Sequence, residues 1–125
     1  MANYSTLLID KLKSKPASFT NSITEGVYVN LTVGVSYTID LANGTLQKLM
    51  MTTANTTFVF PTISNGLQFT LILEKNINTA VTWPVAVKLP NSTPPTLSSS
   101  LSSVDIFSFI AVDTVWYGIL SGQNY

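Results

Sequence analysis

The sequence predicts an all-β fold, an antiparallel β-sandwich of jelly-roll type with a short N-terminal arm or helix. Three observations lead there. From residue 17 onward, runs of β-branched and aromatic residues recur between Gly, Asn and Pro punctuation. Period-two alternation is clear in LQFTLILEK, where Leu67, Phe69, Leu71 and Leu73 share one face. The long helical periodicity of a TIM barrel or a dinucleotide-binding fold is missing. About eight to ten regularly spaced strands with turn signals point to a sandwich or barrel.

The 125 residues suit one domain, divided into an arm at 1–16 and the sandwich at 17–125. Residues 4–15 read as a helix: Leu8 and Leu12 lie four apart, and Asp10 sits three before Lys13. Ser5 suits the cap, and Pro16 ends the helix by pushing the residue before it out of the α region. A helix of about a dozen residues is marginal alone in water, so it packs on something or is an arm ordered in an assembly.

Strands are expected near 18–24, 26–33, 35–42, 45–53, 56–60, 67–75, 78–83, 85–89, 103–112 and 114–120. Asn43-Gly44 signals a hairpin, Asn65-Gly66 a turn into LQFTLILEK, and Asp113-Thr114 the turn of the last pair. The strand VDIFSFIAV is apolar on both faces, where a sandwich strand normally solvates one. Two explanations stand side by side: cover by the N-terminal segment, or cover by a neighbouring subunit.

The stretch VTWPVAVKLPNSTPPT, residues 81–96, holds four of the six prolines. Each lacks an N–H and fixes φ, so this is no central strand. With the following Ser cluster it makes a long connection over 84–102. Such connections are usually functional or mobile, and proline lowers the entropy lost when one is fixed against a partner.

Only 10% of residues are charged, the net charge is zero, and mean hydropathy is +0.33. A surface so poor in charge has little repulsion to prevent association. This favours a subunit covered by neighbours, a homodimer or homotrimer, over a free monomer. Without His or Cys there is no usual zinc site, thiolate nucleophile or Ser-His-Asp triad. Without Arg the bidentate phosphate fork is missing, and zero net charge argues against nucleic acid. No signal-like or membrane-spanning run is visible. The acids Asp10, Glu25, Asp40, Glu74, Asp105 and Asp113 read as solvated turn or strand-end residues rather than a glycosidase pair. Trp83, Trp116 and Tyr117 are weighed as a sugar platform against core or interface anchors, and the anchors are preferred. The expectation is therefore no enzyme, no metal and no cofactor.

One resemblance goes further. TFVFP (57–61), FTLILEK (69–75), VTWPVAVKLP (81–90), TPPTLSSS (93–100), VDIFSFIAV (104–112) and WYGIL (116–120) together resemble a module of virion structural proteins in tailed bacteriophages. The likeness covers roughly residues 45–122. It implies a β-rich virion part, assembled in the host cytoplasm, whose partner is the major capsid protein or another virion protein. The reading taken is a capsid decoration (cement) protein that bridges capsomers. A tail, neck or fibre-tip module is the alternative, and a carbohydrate-binding attachment domain the alternative from another class. Leu7, Leu8 and Leu12 are expected as arm contacts, and Trp83, Pro84, Pro94 and Pro95 as loop contacts.

Overall fold

The computed structural model describes residues 26–125. The 4–15 helix, the 18–24 strand and the arm contacts Leu7, Leu8 and Leu12 lie outside the described residues. Nine strands follow in order: β1 (Tyr28–Val33), β2 (Ser36–Thr38), β3 (Leu46–Met51), β4 (Asn55–Val59), β5 (Gln68–Lys75), β6 (Ala80–Thr82), β7 (Val87–Lys88), β8 (Val104–Val112) and β9 (Val115–Gly122). Each overlaps an expected strand, because the β-branched and aromatic runs that mark them also fill the half-buried pleats.

Their pairing departs from expectation. The strands form a six-stranded sheet in the order β1-β3-β5-β8-β9-β7 and a three-stranded sheet in the order β2-β4-β6. From β1 to β6 the chain alternates between the two sheets. Three successive coils therefore stack with parallel ladders β1–β3–β5 and β2–β4–β6. Antiparallel pairing is confined to β5–β8 and β8–β9, and β7 joins β9 in parallel. The all-β prediction stands, but the antiparallel, jelly-roll pairing is corrected to a mixed sheet built on parallel coils.

The corner at Asn43-Gly44 shows why. Asp40 Oδ1 accepts from Ala42 N at 2.9 Å and starts a 3-10 turn over Leu41–Asn43; Gly44, at φ 125°, then releases the chain. Buried Gln47 locks this corner. Its Nε2 donates to the carbonyls of Asp40 and Gly44, both at 2.9 Å, and its Oε1 accepts from Tyr37 Oη at 3.0 Å. The corner thus carries the chain across to the other sheet rather than back along β2, so the hairpin expected here is absent. Ser64–Leu67 closes a turn with Gly66 at φ 85°, as a type II turn requires, and again changes sheets. Only Asp113-Thr114 makes the two-residue hairpin read from the sequence, pairing Val112 with Val115.

The inner faces of both sheets meet in one core that includes Leu49, Met51, Phe58, Leu71, Phe107 and Trp116. Its centre is aromatic: Phe69 and Phe109 stack with centroids 5.1 Å apart, and Phe60 meets Phe109 edge-on at 4.9 Å. Such pairs add roughly 0.5–1.5 kcal/mol each beyond the area they bury. At the far end of these inner faces the core turns polar, where Lys75 closes β5 and Asp105 sits on β8, both buried.

On the outer face of the large sheet, β8 and β9 show Ile110, Val112, Tyr117 and Ile119 to solvent. Val104 and Ile106 on the same face are half-buried, and Tyr125 pairs with Val104 through its backbone. A single ion pair, Lys48 Nζ to Glu74 Oε2 at 2.7 Å, is the only one among the described residues.

Candidate functional site

The proline-rich connection runs from β6 to β8 and is fixed at few points. Trp83 leaves β6 and turns its ring inward, stacking on Phe58 at 5.3 Å and packing against Phe107 at 5.0 Å. Pro84 follows, and β7 adds only Val87 and Lys88 to the sheet edge beside β9. The prolines on either side, Pro84 and Pro90, keep it short, since neither offers a ladder N–H. Leu89 is buried and pins the strand's end. Asn91 and Ser92 then adopt left-handed backbone at φ 58° and 55° and reverse the chain.

The returning segment is held at its far end by Asp105. That carboxylate, 1% exposed, accepts from Ser98 N at 2.7 Å, Ser98 Oγ at 2.5 Å and Asn124 N at 3.1 Å. Gln123 Nε2 adds a bond to Thr96 O at 2.6 Å. The loop's last anchor and the C-terminal segment therefore share one buried carboxylate. This corrects the reading of Asp105 as a solvated residue. Its position in VDIFSFIAV, next to apolar neighbours on an inner face, is the signal that was available. Asp40 and Asp113 are exposed turn residues as expected, and Glu74 lies half-buried in the outer-face ion pair; Asp10 and Glu25 lie outside the described residues.

The structure gathers the four loop candidates. Trp83, Pro94 and Pro95 line a cleft of about 390 Å³ together with Lys75, Asn78 and Thr79. Trp83, Pro84 and Pro94 line a second, reaching to Leu89. Pro94 and Pro95 line a third, which continues onto Ile119 and Leu120 of β9. Exposed Pro94 thus stands where three clefts meet, and the loop surface runs on into the apolar strand β9. Lys75 lines the first cleft, 2% exposed, and its ammonium donates to Asn78 Oδ1 at 3.4 Å. Burial lowers its pKa from the usual lysine value, while nearby Asp105 works the other way.

The sugar platform does not assemble. Trp116 is 1% exposed within the core, Tyr117 points to the opposite face of β9, and Trp83 is half-buried among aromatic rings. Trp116 Nε1 has no hydrogen-bond partner among the described residues. Among the described residues there is no group of three or more Asp, Glu, His or Cys side chains that could hold a metal, and no helix long and apolar enough to cross a membrane. No protein-family model, curated protein or solved structure matches the chain.

Proposed function

We propose that this chain is a structural protein of a tailed-bacteriophage virion, a capsid decoration (cement) protein that staples neighbouring capsid subunits through non-covalent contacts. One observation carries the reading. The stiff loop surface centred on Pro94 is continuous with the partly exposed apolar strands β8 and β9. A surface of this kind buries without desolvating charge, and its prolines lose little entropy on docking. Several modest contacts of this sort, engaged together across neighbouring capsomers, reach high avidity. The sequence resemblance supplies the virion context.

A tail, neck or fibre-tip module is the second reading, favoured by the parallel coils. Coils stacked in this way add one on the next, which suits an elongated part. The carbohydrate-binding reading loses support with the burial of Trp116.

The test is co-sedimentation of the purified chain with isolated heads and isolated tails of a tailed phage whose virion carries this protein, at low and moderate salt. Binding to heads that depends little on salt, and that weakens on Pro94→Asp without loss of fold, supports the cement reading. Binding to tails alone selects the second reading. Binding to neither, or steep loss with salt, removes the stapling mechanism.

A further inference from the structure

The proline-rich loop and the segment that follows β9 meet on one carboxylate, and the geometry of β9 brings the chain there. The ladder pairs Phe107 with Leu120 but Ile106 with Gly122, so β9 carries one residue more than β8 at this point. A bulge of this kind bends its strand. Past it, Asn124 takes left-handed backbone at φ 62°, which asparagine tolerates better than most residues. The chain then lies back against the start of β8. Tyr125 N donates to Val104 O at 3.2 Å, and Val104 N donates to Tyr125 O at 3.3 Å.

Asp105 stands between this segment and the loop. Its Oδ1 accepts from Asn124 N at 3.1 Å and from Ser98 Oγ at 2.5 Å, and its Oδ2 accepts from Ser98 N at 2.7 Å. One oxygen thus serves both. Gln123 Nε2 adds a direct link to Thr96 O at 2.6 Å. The two sides are held differently. Ser98 is buried, whereas Gln123, Asn124 and Tyr125 are exposed and held mostly by their hydrogen bonds. A segment of that kind opens at a free energy well below that of the sheets. Its opening lets water onto Asp105 Oδ1 and frees Thr96 O, so the bonds that hold Ser98 then compete with solvent. Pro94, Pro95 and Thr96 line the cleft that reaches Ile119 and Leu120, and the loop surface loses its shape with them.

We infer that Gln123–Tyr125 is a strap that latches the proline-rich loop, so that strap and loop open and close as one unit ahead of the sheets. The coupling is reciprocal: whatever holds the loop closed also holds the strap. A capsid subunit docked on the Pro94 surface therefore tightens the strap, a consequence that rests on the proposed virion role, whereas the latch itself belongs to the free chain.

Amide exchange in the free full-length chain tests the latch, and needs no capsid, so it stands or falls apart from the virion role. Gln123→Ala/Asn124→Pro removes the bond to Thr96 O and the N–H that reaches Asp105, and proline cannot take the left-handed φ of residue 124. This variant is expected to speed exchange at the Ser98 amide on the order of tenfold while β5 and β8 stay protected. Asn124→Gly keeps the N–H and suits the positive φ, and is expected to leave Ser98 within about twofold of the parent chain. In the reverse direction, Ser98→Pro removes the loop's N–H from Asp105 and is expected to speed exchange at Asn124 and Tyr125 by a similar factor. Unchanged Ser98 exchange in the double variant overturns the latch. So does a rise at β5 and β8 in step with Ser98, or Asn124 and Tyr125 amides that do not respond to Ser98→Pro.

Discussion

Replacing Asp105 with alanine is expected to release the proline-rich loop while leaving the two sheets folded. The magnitude follows from what the carboxylate holds. Ser98 N sits in a buried bond, and losing its acceptor leaves an orphaned donor, at a cost of about 1–3 kcal/mol. Asn124 N is only part-buried and finds water more readily, so its loss adds about 1 kcal/mol or less. The Ser98 hydroxyl rotates to another acceptor and adds little. No cation lies within ion-pair distance of Asp105 among the described residues, but buried Lys75 is near enough to feel its charge, so the removal also costs Lys75 some favourable field. The sum is about 1–4 kcal/mol, a fall in Tm of roughly 4–16 °C for a chain of this size. Asp105→Asn keeps the shape and one acceptor but turns an N–H toward a donor, and falls between the two. Urea unfolding measures the loss. Limited proteolysis between residues 90 and 98 reports the release of the loop, and Ser98→Ala, which keeps the backbone bond, is expected to cost less than half as much. A loss below about 0.5 kcal/mol in Asp105→Ala, with the loop still resistant, refutes the view that this carboxylate anchors the loop.

Other outcomes test the remaining parts. Tyr37 has its pKa raised to about 12, by burial first and then by Tyr28 and Asp40. Its contribution is fully present below pH 10 and is lost as pH rises from 10 toward 12, so Tyr37→Phe should flatten the alkaline fall in a pH series of urea midpoints. Lys75→Met removes a buried ammonium whose bond to Asn78 Oδ1 is long at 3.4 Å, and is expected to raise stability by about 1 kcal/mol in thermal melts. At Gly118 an added Cβ would lie 2.5 Å from the Phe109 ring, so Gly118→Ala should cost about 1–3 kcal/mol. Gly122→Ala meets the Tyr125 side chain first, which is 71% exposed and can swing into solvent, and should cost under about 0.5 kcal/mol in the same melts.

The amino-acid sequence by itself determined where the strands lie. Alternation over residues 67–75 and the two-faced apolar run at 104–112 mark β5 and β8 almost to the residue, because period-two burial is a local property of an extended chain. It also determined that residues 84–102 stay largely outside the ladders, since a proline without an N–H cannot take a central place wherever the rest of the chain goes.

Only the tertiary structure decided which strands pair and in which direction. Asn43-Gly44 permits a tight reversal and a sheet-changing corner alike. Gln47, which reaches back to the carbonyls of Asp40 and Gly44, holds the second. The loop surface was legible as a set of prolines, but its assembly around Pro94 was not; the burial of Asp105 was signalled only by its place in VDIFSFIAV, and its partners were not signalled at all. Both depend on residues far apart in the chain, such as Ser98, Asp105 and Asn124, meeting in space. Burial and strand partnership are set by such long-range contacts, whereas the strand period is set by near neighbours, and the sequence displays only the near ones directly.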